Sequence, residues 1–245
     1  MRKVALGCLL LAAASVASAT TTYITAQGTS SGGNAVYAQA QFTFSNNTLA
    51  LTLTNLLVNP TSVAQNISDF EFTIAAFSGT TATLNPYNGT ATSTEAPHLV
   101  TINGTGTNQF VVGGAADPGW AFAYSTGNFS LNGLAGSVNG PAYTIVGGPG
   151  SGPAYSNANS SLTSSPHNPM IYQTATWVFT LPGANAVSNY AITNVNFSFG
   201  TTAGNDYSCT TQGCYAPEPG SWMLLGTGLA GLIFFAGRTA RKRTA

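Results

Sequence analysis

The sequence predicts an all-β fold, an antiparallel β-sandwich of jelly-roll type, with an N-terminal signal peptide and one short C-terminal transmembrane helix. Three observations predict it. Apolar and polar residues alternate with a period of two over much of the central chain, the spacing of strands with one buried face. Gly, Pro and Asn clusters cut that pattern into short runs, as in sandwiches and barrels. No amphipathic helix and no fixed-period repeat interrupts it, which argues against helical and solenoid folds. At 245 residues the chain fits one domain plus flanking signals.

The N-terminal segment opens with Arg2 and Lys3, continues with an apolar run from Val4 to Ala14, and reaches Ala17-Ser18-Ala19. A charged start, a short apolar core and an A-x-A site are the parts of a secretory signal peptide. Cleavage by signal peptidase is expected after Ala19, giving residues 1–19 as the signal and 20–215 as the exported domain. A membrane anchor would need a longer apolar run and stop-transfer charges. Cys8 lies too close to Lys3 to follow a full apolar region, so it reads as an ordinary signal-peptide residue.

Strand candidates follow in order. In NAVYAQAQFTF, Val36, Ala38, Ala40, Phe42 and Phe44 share a face. Ser45-Asn46-Asn47 reads as a turn, and Leu49, Leu51 and Leu53 then share a face of the returning strand, a hairpin pattern. In SDFEFTIAAF, Phe70, Phe72 and Ile74 point inward and Asp69, Glu71 and Thr73 outward. Shorter candidates are 99–102, 109–112, 120–124 and 143–146, and longer ones are 171–181 and 190–200. Residues 20–33 read as a partly extended or frayed start. The stretch 147–169, GGPGSGPAYSNANSSLTSSPHNP, reads as a long mobile loop.

Charge narrows the function. Residues 4–237 contain no lysine or arginine, while Asp69, Glu71, Glu95, Asp117 and Asp206 lie between them unopposed. A body without cations cannot neutralise phosphates, so nucleic acid is excluded as a partner. Charged residues make up 5% of the chain, far below the usual share of soluble domains.

Catalytic and metal patterns are sparse. Cys209 and Cys214 are the cysteines left after processing, in CTTQGC. In an exported chain such a pair forms a disulfide more often than a metal site. So short a loop adds about 2 kcal/mol or less. No zinc tetrad, G-x-S-x-G, H-E-x-x-H or phosphate loop is present, and no cofactor or metal is expected. Asp69 and Glu71 on one strand face would stand about 7 Å apart, a spacing glycosidases use, but two solvating charges are the simpler reading. Asp117 and Asp206 read as turn residues, and His98 and His167 lie near no motif that would make either a base.

The C-terminal segment is APEPGSWMLLGTGLAGLIFFAGRTARKRTA. Residues 222–237 form an uncharged stretch of sixteen residues with four glycines. As a helix it rises about 24 Å, short of a hydrocarbon core of roughly 30 Å. Trp222 suits the membrane interface and the arginines can snorkel, so a marginal span is expected over about 222–237. A buried core helix would show a polar face, and this one has none. Arg238, Arg241, Lys242 and Arg243 resist translocation, which leaves the body outside. Pro217-Glu218-Pro219, a short glycine-laced apolar helix and an arginine-rich end, in that order over 216–245, resemble the PEP-CTERM sorting signal of exported Gram-negative proteins. The resemblance implies processing by exosortase, a membrane protease-transpeptidase. It further implies release or transfer to the cell surface or extracellular matrix, and an association with exopolysaccharide.

Three functions compete. The first is a non-catalytic surface or matrix protein, held transiently in the inner membrane and then sorted by its tail. The second is a carbohydrate-binding module, with Trp120, Tyr124, Tyr143 or Tyr155 stacking on sugars. The third is a hydrolase with a scattered site that would gather Glu95, His98 and Asp117. The first fits the two signals and the shortage of titratable groups.

Overall fold

A computed structural model describes residues 20–75, 77, 81–84, 98–104, 109–115, 119–135, 142–152, 154–184, 190–202, 204, 207–209 and 214. Its strands are β1 (Thr20–Thr29), β2 (Ala35–Ser45), β3 (Thr48–Asn55), β4 (Ile67–Ile74), β5 (Thr83–Leu84), β6 (His98–Asn103), β7 (Gln109–Ala115), β8 (Ala121–Ser125), β9 (Asn128–Asn132), β10 (Ile145–Val146), β11 (Met170–Tyr172), β12 (Thr174–Thr180), β13 (Ile192–Phe199) and β14 (Tyr207–Ser208). They form two sheets. The first runs β1-β2-β3-β12-β5; the second runs β14-β13-β4-β10-β11-β6-β7, with β9 and β8 branching from β4. All described pairings are antiparallel except β10 with β11.

The alternation places the core. Val36, Ala38, Ala40, Phe42 and Phe44 of β2 are buried, as are Leu49, Leu51 and Leu53 of β3. Their polar neighbours face outward, where Thr52 and Thr176 hydroxyls meet at 2.8 Å. Asn47 turns the hairpin at a φ of 59°, a left-handed conformation that asparagine tolerates. Aromatic rings join the sheets. Phe42 of the first meets Phe72 of the second edge-on at 5.0 Å. Trp120 lies 4.9 Å from Trp177, and Phe122 lies 5.1 Å from Phe179. Burying such rings, with the aliphatic side chains around them, supplies the driving force for closing the two layers.

The connectivity departs from a jelly roll. β1, β2 and β3 are successive neighbours in one sheet, a meander where a jelly roll would carry a Greek key. Residues 20–29 are a full strand, paired with β2 along ten positions, rather than a frayed start. The 171–181 candidate is two strands, β11 and β12, which lie in different sheets. Gln173 between them has a φ of 59°.

The 147–169 stretch is built into the fold, contrary to the mobile loop expected from its composition. Tyr155 and Leu162 are buried in a second small core with Val100, Ile102, Val146 and Met170. Asn159 caps a one-turn helix, Ser160–Thr163, by accepting from the Ser161 amide at 2.8 Å. Asn168 donates to the carbonyls of Leu162 and Ser164, both at 2.9 Å, and accepts from the Ile102 amide at 2.8 Å. Two apolar anchors and one amide clamp therefore hold a segment that is otherwise Gly, Ser and Asn.

Candidate functional site

The outer face of the second sheet carries a groove of about 320 Å3 across β8, β9, β4 and β13. Register builds it. Glu71 of β4 lies between Asn196 of β13 and Ser130 of β9. Thr73, one pleat further, is flanked by Thr193 and Asn128. A bulge between Thr193 and Asn196 puts an extra residue into β13. Asn194 sits in it at a φ of 50°. Asn194 and Asn196, two apart along β13, both line the groove, beside a bulge of the kind common next to functional sites.

Hydrogen bonds fix part of this lining and leave part open. Thr73 donates to Asn128 Oδ1 at 2.6 Å, and Asn194 Nδ2 donates to the Thr73 hydroxyl at 3.3 Å. Asn128 Nδ2 donates to the Ser125 carbonyl at 3.1 Å. The half-buried carboxylate of Glu71, the Oδ1 atoms of Asn194 and Asn196, and the Ser130 hydroxyl accept no hydrogen bond from any described residue. Tyr124 closes one end. Its ring packs 4.9 Å from Phe129 and its oxygen accepts from the Gly127 amide at 3.1 Å.

The expected pair of outward carboxylates is not what forms. Asp69 is buried at 6% exposure, because the chain after β13 folds back over it and Gly204 donates its amide to Asp69 Oδ2 at 3.4 Å. Glu71 alone of the two reaches the groove. Among the described residues no cluster of three His, Cys, Asp or Glu side chains forms.

The other sequence candidates are scattered. Trp120 is buried, with its indole N–H donating to the Tyr143 carbonyl at 3.0 Å, so it offers sugars no exposed face. Tyr155 is fully buried as well. Tyr143 and Tyr124 are half-buried, and of the four aromatics only Tyr124 lines the groove. His98 stands exposed at the start of β6, while His167 bonds through Nδ1 to the Ser161 carbonyl. Glu95, Asp117 and Asp206 lie outside the described residues, so the gathering of Glu95, His98 and Asp117 is not seen. Cys209 and Cys214 are joined by a disulfide with a Cα–Cα distance of 4.9 Å.

Sequence reading missed the groove. A faint signal exists: in ITNVNFSF the apolar residues Ile192, Val195, Phe197 and Phe199 are spaced by three and then by two, a slip of phase that marks a bulge.

The remaining candidates lie at the chain ends: Ala17 and Ala19, then Pro217, Glu218 and Pro219, then Arg238, Arg241, Lys242 and Arg243. All are outside the described residues, as is the 222–237 segment. Among the described residues no helix is long and apolar enough to cross a membrane. Residues 216–242 match the PEP-CTERM protein-sorting motif. The chain carries a PEP-CTERM sorting motif. That motif is the recognition signal for exosortase, so the protein is one targeted for export and for sorting at the membrane. The PEP-CTERM match covers the tail and leaves the sandwich outside it. No curated protein and no solved structure matches the chain.

Proposed function

We propose that this is a non-catalytic cell-surface or extracellular-matrix protein. Signal peptidase removes residues 1–19, the tail holds the chain in the inner membrane over about 222–237, and exosortase then cuts near Pro217-Glu218-Pro219. The β-sandwich is the delivered cargo, and its surroundings include exopolysaccharide. One observation carries this reading: the PEP-CTERM motif at 216–242.

The body supports a binding or structural role over a hydrolytic one. Hydrolysis needs an acid and a base facing one substrate bond. Glu71 shares its groove with amides and hydroxyls, groups that hold a ligand without moving its protons.

Intact-mass spectrometry of the form recovered outside the cell tests the proposal. The expected species begins at Thr20 and lacks RTARKRTA. A species that begins at Met1, or one that retains RTARKRTA, overturns the processing.

A further inference from the structure

We infer that the groove across β8, β9, β4 and β13 binds a neutral polysaccharide, with Glu71 and Asn196 as the principal hydrogen-bonding groups. The inference rests on the surface-protein reading for where the ligand is met. Its evidence is separate and lies in the sandwich.

The lining chooses the ligand. The open groups are the Glu71 carboxylate, Asn194 Oδ1, Asn196 Oδ1, the Ser130 hydroxyl and the second amide protons of Asn194 and Asn196. They suit a ligand whose groups both donate and accept. Sugar hydroxyls do both, and a carboxylate takes two neighbouring hydroxyls at once through its two oxygens. Residues 4–237 contain no lysine or arginine. A uronate or sulfated chain would therefore meet Glu71 with nothing to offset the repulsion. Apolar ligands fit poorly beside amides and a carboxylate. Four adjacent strands span about 14 Å, a length that holds a short run of sugar rings, and Tyr124 adds aromatic surface at one end.

The architecture points to a built site. Asn194 and Asn196 share the groove side of β13, next to a bulge that interrupts its ladder with β4. The Thr73–Asn128 and Asn194–Thr73 bonds hold the flanking side chains in place. Among the described residues Glu71 is the one carboxylate that is not buried, and it stands at the middle of this face.

The test uses the full chain in mild detergent on an array of dextran, laminarin, xylan and galactomannan, with alginate and hyaluronan as acidic probes. Binding to at least one neutral polysaccharide is expected, with none to the acidic ones. Glu71→Gln and Asn196→Ala should each weaken it about tenfold, as loss of one charge-assisted or well-placed hydrogen bond implies. Val178→Thr, on the outer face of the other sheet, should bind like the parent chain. Absence of binding to every neutral probe overturns the inference. So does equal binding to alginate, or binding that both groove variants leave intact while circular dichroism shows them folded. None of these outcomes touches the masses of the processed ends, so the sorting reading stands or falls separately.

Discussion

The Tyr155 hydroxyl donates to the Gly147 carbonyl at 2.7 Å, deep in the smaller core. This bond ties the beginning of the 147–169 segment to its middle. Gly147 is itself pressed against Leu57, whose carbonyl oxygen would lie 1.9 Å from any added Cβ. Tyr155→Phe leaves that buried carbonyl without its donor and should cost about 1–3 kcal/mol. Tyr155→Ala also opens a cavity and should cost about 3–5 kcal/mol. Thermal unfolding measures both. If Tyr155→Ala melts with the parent chain, the segment is not part of the cooperative fold.

The same residue gives the protein an alkaline limit. Burial, with the neighbouring Tyr172 adding, pushes the Tyr155 phenol well above its ordinary value. The folded state therefore holds this proton more tightly than the unfolded chain does. Its contribution is whole below the unfolded tyrosine value of about 10 and is lost as pH rises above that, at about 1.4 kcal/mol per pH unit. Denaturant midpoints measured from pH 8 to 12 should show the fall. Tyr155→Phe should be less stable at pH 8 yet lose less on the way up. An identical slope in the two proteins would refute the assignment.

Asn55 closes the first sheet onto the second. Its side chain is buried and donates to the carbonyls of Gln65 and Ile145, both at 2.9 Å, while accepting from the Leu57 amide at 3.1 Å. Asn55→Ala strands three backbone groups and should cost about 3 kcal/mol. Asn55→Asp can restore one acceptor but neither donor bond, and should be no better at neutral pH. Urea unfolding of the two variants decides, and a loss below about 0.5 kcal/mol would mean that water replaces the amide.

Much of the sandwich was legible because β2 and β3 each bury one face and expose the other, which is what a period of two records. The same rule misplaced Asp69. Alternation assigns a face and cannot tell that the chain around Gly204 returns to cover it. Strand β9, Asn128–Asn132, went unread because NFSLN carries only two apolar residues between glycines. By sequence β1 reads only as a partly extended or frayed start, although TTTYIT favours a strand; its length shows only through its pairing with β2. In 147–169 the composition is that of a loop, while two residues, Tyr155 and Leu162, decide the packing. The groove gathers side chains of separate strands, such as Glu71 with Ser130 and Asn196, which meet only once β9 and β13 are paired with β4. The sorting motif at 216–242 was legible because its parts are contiguous and its recognition needs no fold.

Arg238, Arg241, Lys242 and Arg243 are four of the six basic residues in the chain, and they follow an apolar stretch that is barely long enough to span. A stable anchor would use a longer helix with fewer glycines. A short one depends on its flanks, and positive charges on a flank favour the cytoplasmic side. Changing all four to glutamine should let the tail slip through or fall back, so that the chain leaves the membrane without being cut at the PEP-CTERM motif. Changing Arg238, Arg241 and Arg243 to lysine, with Lys242 kept, preserves the charge and should preserve processing. Cell fractionation with intact-mass readout separates the outcomes. Correct cutting of the glutamine variant would show that the cations have no part in retention. Failure of the lysine variant would show that exosortase reads the guanidinium groups themselves rather than their charge.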